Sequence, residues 1–311
     1  MDTLAVVFEE PERLSLRRLD LTPPEAADVT VDILWSGIST GTERLLWLGR
    51  MPAFPGMGYP LVPGYESVGR ITSAGKDSGR REGELVFVPG ARCFGDVRGL
   101  FGGAASRLVV AGDRVVPVDE NLGEQAVLLA LAATAYHTMA GQAKPDLIVG
   151  HGVLGRLVAR IALVNDDGPV TVWETNPVRS DAGSLYQVIH PDADTRHDYG
   201  AIYDVSGDSG LLNALIKRIR RGGEVVLAGF YSAPLSFDFS PAFIREARIR
   251  VAAEWTQSDL AAVKKLVETG KLSLDGLITH RTEAMDAADA YRTAFGDPAC
   301  LKMILDWRRC S

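Results

Sequence analysis

Over residues 4–118 the apolar positions fall in short runs rich in β-branched residues, at 4–8, 29–34, 67–71, 85–88 and 106–110. Proline and glycine separate them at Pro23-Pro24, Pro55-Gly56, Pro63-Gly64, Pro89-Gly90 and Gly102-Gly103. Short strands bounded by turn residues predict a compact β-barrel with functional loops. After a helix placed from near Glu124, strand-like runs at 147–149, 170–173, 188–189, 201–205 and 224–228 alternate with helical stretches at 156–164 and 211–221. That alternation predicts a doubly wound parallel sheet, so the chain reads as α/β. Beyond it, 259–268 and 283–295 read as amphipathic helices, with Leu260, Val263, Leu266 and Val267 at helical spacing. Residues 301–305 read as a strand returning to the first domain.

Composition narrows the function classes. The 311 residues carry 33 Lys plus Arg against 40 Asp plus Glu, a formal charge of −7. An acidic balance without a basic stripe argues against nucleic acid as a partner. Cys93, Cys300 and Cys310 are too few for a disulfide framework and suit a reducing compartment. The opening Met1-Asp2-Thr3 lacks the basic start of a secretory signal, and the apolar stretch 126–140 falls short of the ~18–20 residues that cross a bilayer. The expectation is a cytoplasmic protein without a transmembrane segment.

Gly150-His151-Gly152-Val153-Leu154-Gly155 is a G-x-G-x-x-G motif between a predicted strand and a predicted helix, the context of a dinucleotide fingerprint. Its glycines permit a tight turn and close approach of backbone to a pyrophosphate, whose charge sits at the helix N-terminus. Glu174 ends the next predicted strand, 24 residues after Gly150. A carboxylate there accepts hydrogen bonds from ribose hydroxyls and repels a 2′-phosphate, which favours NAD over NADP. Arg179 lies close enough in sequence to soften that preference.

Three patterns resemble the medium-chain dehydrogenase/reductase superfamily: Ser36-Gly37-Ile38-Ser39-Thr40-Gly41-Thr42-Glu43, Val62-Pro63-Gly64-Tyr65-Glu66-Ser67-Val68-Gly69 and Ala133-Thr134-Ala135-Tyr136-His137. The resemblance implies a GroES-like catalytic domain over 1–120, a Rossmann NAD-binding domain over 121–276 and a return to the catalytic domain over 277–311. Zinc members of the superfamily place metal ligands where this chain aligns Ser39, Tyr65 and Ala130, and Zn²⁺ prefers thiolate, imidazole or carboxylate. The structural zinc lobe is also missing, since Cys93 alone falls in its stretch. A zinc-free member is expected. Segments 49–60, 101–107 and 297–303 further resemble the dehydrogenases of bacteriochlorophyll synthesis. That likeness implies NAD-dependent oxidation of the ring-A 3-(1-hydroxyethyl) group of a chlorophyllide or bacteriochlorophyllide to acetyl. It also implies a tetrapyrrole partner and a location either free in the cytoplasm or peripheral to photosynthetic membranes; the superfamily often pairs edge strands of its nucleotide domains, which makes a homodimer one expectation for an oligomeric state the sequence leaves open.

Without a metal, the hydroxyl proton must leave through a general base or a hydrogen-bonded relay. Candidates are Ser39, Thr42, Tyr65, Glu66 and His137, with Glu43 beside them. The working relay runs from the substrate hydroxyl to Tyr65 or Ser39, and on to Glu66 or His137. In the superfamily's pattern Thr134 lies against the nicotinamide, as do Gly229 and Phe230; core packing is the other reading for Phe230. Trp47, Phe54, Met57 and Tyr59 lie in a loop whose aromatic and Met content suits the flat face of a tetrapyrrole or, equally, burial between strands. Arg44 or Arg50 is a candidate partner for the macrocycle's propionate. Rival readings are a zinc-free quinone or enone reductase and a nucleotide-binding sensor without catalysis.

Overall fold

The computed structural model describes residues 1–165, 168–181, 185–252 and 254–310. Its contacts divide the chain into two compact units, Met1–Ala130 with Leu274–Ser311, and Leu131–Ser273. In chain order the first unit supplies β1 (Asp2–Glu10), β2 (Arg13–Asp20), β3 (Asp28–Ile38), α1 (Thr42–Trp47), β4 (Leu61–Val62), β5 (Ser67–Ala74), β6 (Leu85–Val88), β7 (Arg98–Gly99), β8 (Arg107–Ala111) and β9 (Val116–Pro117). A 3₁₀ stretch, Glu120–Leu128, precedes α2 (Leu129–Met139). Next come β10 (Leu147–Val149), α3 (Val153–Asn165), β11 (Thr171–Trp173), β12 (Gln187–Ile189), β13 (Tyr199–Asp204), α4 (Leu212–Ile216), β14 (Ile219–Leu227), α5 (Phe239–Arg245), β15 (Arg248–Val251) and α6 (Gln257–Glu268). The chain then re-enters the first unit with β16 (His280–Glu283), α7 (Ala287–Gly296) and β17 (Met303–Asp306).

The first unit is built around β3. Its Val29, Val31 and Ile33 are buried at alternate positions, the two-residue period of a strand with one face on a core. Pairing on β3 is dense: β8 takes its first half, β5 runs along it from Val29 to Ser36, and β17 pairs antiparallel with its end, Met303 opposite Ile38 and Asp306 opposite Trp35. A second sheet, in the order β2-β1-β4-β7, contributes Ala5–Phe8, all fully buried, to the same core.

The second unit is a parallel six-stranded sheet in the order β12-β11-β10-β13-β14-β15. Strand order reverses between β10 and β13, so their carboxyl ends, Val149 and Asp204, flank the crevice in which such sheets bind ligands. The α/β expectation, a β-rich domain joined to a doubly wound sheet, is therefore met.

Three boundaries differ from the sequence pattern. Only Leu212–Ile216 of the expected 211–221 helix is helical; from Ile219 the chain pairs beside β13, and Gly222 (φ +72°) with Gly223 lies in the bulge between Tyr199 opposite Ile219 and Ala201 opposite Glu224. The helix expected from near Glu124 is 3₁₀ as far as Leu128 and becomes α-helical at Leu129, while Gly123 (φ +48°) separates it from the 3₁₀ turn before it. Glu283 belongs to β16, and the helix after it begins at Ala287.

Candidate functional site

The hydroxyl-bearing candidates of the first unit converge. Ser39 begins the turn from β3 into α1 and Tyr65 precedes β5, and their side-chain oxygens lie 2.7 Å apart; Tyr65 is also hydrogen-bonded to Thr42 at the start of α1. Burial and the neighbouring Glu66 charge push the Tyr65 phenol well above its ordinary value. It stays protonated at neutral pH and can donate a hydrogen bond.

Two buried carboxylates support this pair. Glu43, on α1 and fully buried, accepts the Ser39 backbone N–H at 3.0 Å on one oxygen and the Tyr291 hydroxyl at 2.7 Å on the other. Burial outweighs both bonds and lifts its pKa to about 7. Glu66 is also fully buried; its Oε2 accepts Lys302 Nζ at 2.6 Å, while Oε1 has no hydrogen-bond partner among the described residues. Burial raises the Glu66 pKa against the opposing pull of Lys302. Lys302 Nζ also donates to the Ile38 carbonyl at 3.1 Å, so one ammonium joins the backbone just before Ser39 to the side chain just after Tyr65. The fit is tight enough that a Cβ on Gly37 would lie 2.3 Å from Glu66 Oε2.

Lys302 and Tyr291 were missed by sequence reasoning. The available signal was a lysine inside the apolar strand pattern Leu301-Lys302-Met303-Ile304-Leu305, since a lysine is almost never fully buried unless paired. Among the described residues no group of three or more His, Cys, Asp and Glu is placed to hold a metal ion.

His137 lies on α2 in the second unit. Its Nδ1 is 2.8 Å from Asp259 Oδ2, an oxygen that also takes the N–H and hydroxyl of Thr256 in the capping box of α6. Burial alone would raise Asp259, but these bonds hold it below its ordinary value. An ionised carboxylate only accepts, so Nδ1 of His137 carries a proton toward Asp259.

The glycine motif occupies the turn from β10 into α3. Gly150 sits at φ +103°, a left-handed conformation that favours glycine, and a Cβ on Gly155 would lie 1.9 Å from the Gly150 carbonyl. A Cβ on Gly152 would meet open space, so this backbone is free to be approached by a pyrophosphate. These three positions fit a dinucleotide. Val153 and Leu154 begin α3, Val153 buried and Leu154 half-buried. Glu174 follows β11, with Oε2 accepting the His151 N–H at 3.0 Å and Oε1 the Asn176 N–H at 2.7 Å. Thr134 is half-buried on α2; Gly229, bonded to the Asp204 carbonyl at 3.0 Å, and Phe230, 50% exposed, follow β14. That exposure is at odds with core packing for Phe230.

Of the residues expected in one loop, Trp47 instead ends α1, while Phe54, Met57 and Tyr59 follow it in the connection to β4. Trp47, Phe54, Met57 and Tyr59 are half-buried against the core of the first unit, and the Tyr59 hydroxyl donates to the Leu46 carbonyl. Arg44 and Arg50 are exposed. No helix among the described residues is long and apolar enough to cross a membrane.

A family model described as the alcohol dehydrogenase GroES-like domain matches residues 25–120. Along its length the chain is similar to 2-desacetyl-2-hydroxyethyl bacteriochlorophyllide A dehydrogenase of Rhodobacter capsulatus, at 57% identity over 311 residues and 99% of both chains. It is similar to the protein of the same name from Cereibacter sphaeroides at 53% identity over 315 residues, again 99% of both. A solved Escherichia coli structure, described as a short chain alcohol dehydrogenase complexed with NADH, matches with a TM-score of 0.83 at 21% identity, covering 98% of this chain and 99% of that one. At that identity the likeness bears on the fold.

Proposed function

The chain belongs to the family of 2-desacetyl-2-hydroxyethyl bacteriochlorophyllide A dehydrogenases, and from that premise we propose that it oxidises the hydroxyethyl group of a bacteriochlorophyllide to acetyl, with NAD⁺ as oxidant and without zinc. The carbinol C–H leaves as hydride and the O–H as a proton, giving ketone, NADH and H⁺. NAD⁺, when bound, supplies the hydride acceptor.

The observation that carries the reading is the Ser39–Tyr65 hydroxyl pair, 2.7 Å apart, at the positions where the superfamily's zinc enzymes hold ligands. Two hydroxyls make poor zinc ligands but can hold an alcohol oxygen by donating and accepting at once. Tyr65 orients the substrate oxygen and passes its proton through Ser39 and Thr42. Glu66, with one unpartnered oxygen and a raised proton affinity, is the acceptor proposed within the first unit. His137, polarised by Asp259, is the one proposed within the second. Glu174 beside the glycine turn supports NAD, through the repulsion between a carboxylate and a 2′-phosphate. Trp47 at the end of α1 and Phe54, Met57 and Tyr59 in the loop after it are proposed to line the macrocycle's site, with Arg50 toward its carboxylate. The reading includes a homodimer joined through β15, the outer strand of its sheet, where Val251 is 74% exposed.

The test is incubation with NAD⁺ and the hydroxyethyl pigment. An acetyl carbonyl conjugated with the ring moves the red absorption band to longer wavelength, and NADH should appear mole for mole. A chelator should leave the rate unchanged, and Tyr65→Phe should lower kcat by about 10²-fold with NAD⁺ affinity intact. An unshifted band refutes the substrate, chelator-sensitive turnover refutes the metal-free route, and a wild-type rate in Tyr65→Phe refutes the role of the pair.

A further inference from the structure

We infer that His151 and Tyr186 form a clamp that fixes the adenosine end of the nucleotide site and sets its preference between a free and a phosphorylated ribose. The inference rests on the nicotinamide reading above and adds residues to it.

His151 stands between the first two glycines of the turn, yet it is fully buried, with its ring reaching to the segment that follows β11. Nδ1 lies 2.5 Å from the Arg179 carbonyl and Nε2 lies 2.8 Å from the Tyr186 hydroxyl. A carbonyl only accepts, so Nδ1 carries the proton; Nε2 of the neutral ring then accepts from Tyr186. Burial, the largest influence, lowers the His151 pKa to about 4 and keeps this neutral form at working pH. The two rings stand at 88°, the tyrosine edge-on to the imidazole.

Arg156 closes the same junction from α3. Its guanidinium donates to the carbonyls of His151 at 3.2 Å, Arg179 at 3.1 Å and Asp181 at 3.1 Å. The His151 N–H meanwhile holds one oxygen of Glu174, and Asn176 holds the other. Apart from the Arg156 bond to the His151 carbonyl and the Asn176 bond to Glu174, these contacts tie the glycine turn to the chain that follows β11 and carries both Glu174 and Arg179, the carboxylate that suits a free ribose and the guanidinium that suits a 2′-phosphate. Discrimination depends on which of the two faces the ribose. The clamp fixes their backbones relative to the turn, so His151 and Tyr186 are positioning residues for specificity.

The experiment is calorimetric titration of the full chain with ADP-ribose and with 2′-phospho-ADP-ribose, which requires no turnover. Wild type should favour ADP-ribose. The ratio of the two affinities should fall by about tenfold in Tyr186→Phe, the scale of one lost hydrogen bond, and further in His151→Ala. His151→Asn, which retains a donor toward Arg179, should recover part of it. Should His151→Ala fail to fold, Tyr186→Phe alone decides. A ratio unchanged in the folded variants, with wild type binding ADP-ribose, overturns the clamp. A wild type that binds neither ligand overturns the nicotinamide reading and the clamp with it.

Discussion

The nucleotide turn and the hydroxyl pair solve their problems at opposite sequence ranges. Gly150, Gly152 and Gly155 lie within six residues, and what they must do is written in backbone conformation: a left-handed φ, an open approach and a close helix–strand contact. The Ser39–Tyr65 pair is held by Glu43 and Glu66, whose partners Tyr291 and Lys302 are 248 and 236 residues away along the chain. A local motif works by excluding side chains, whereas the dispersed cluster works by burying charge and satisfying it. The first should fail through a single added methyl, the second through a single missing partner.

The largest effect is expected in the dispersed cluster. Lys302→Met leaves a buried carboxylate unpaired and should cost about 3–5 kcal/mol of stability in denaturant unfolding, with much of the loss restored by Lys302→Met together with Glu66→Met. Equal stabilities for the single and double variants would mean that the pair is not coupled.

Glu43 provides a smaller effect with a definite sign. Its folded pKa of about 7 lies above the ordinary 4.5, so the folded state holds the extra proton between those values. That contribution to stability is complete below about pH 4.5 and is lost as pH rises through about 7. Glu43→Gln keeps the site neutral, so its stability relative to wild type should rise by up to about 3 kcal/mol from about pH 5 to about pH 8. A flat difference would show that Glu43 titrates normally.

In the nucleotide turn, Gly155→Ala drives a methyl into the Gly150 carbonyl and should cost about 1–3 kcal/mol and weaken NAD⁺ binding. Gly152→Ala, in open space, should weaken NAD⁺ binding while thermal unfolding stays near wild type. Similar losses of stability from both would erase the distinction between the two glycines.

This contrast explains how much could be read in advance. Period-two and period-3.6 patterns gave the two fold types, because both depend on neighbours in sequence, and the glycine turn was legible for the same reason. The pattern overextended α4 because the arginines after Ile216 suit an exposed helix as well as an exposed strand, and pairing beside β13 decided between them. Ser39, Thr42, Tyr65 and Glu66 stood out by type, and the structure joins the first three by hydrogen bonds while turning Glu66 toward Lys302. That ion pair could not be read from either segment alone, because only the pairing of β17 with β3 brings Lys302 to Ile38 and Glu66. His137 and Asp259 are likewise 122 residues apart, and their contact depends on α2 and α6 sharing the second unit.

Lys302 also carries a consequence for the order of events during synthesis. At translation rates of about 5–20 residues per second, Glu66 leaves the ribosome on the order of 10–50 s before the ammonium that pairs with it. The nucleotide unit, residues 131–273, is synthesised in full during that wait and is free to fold while the unit begun first still lacks strands β16 and β17. For this chain, first made is not first finished: the hydroxyl pair can gain the support of Lys302 only after the whole nucleotide unit has been synthesised.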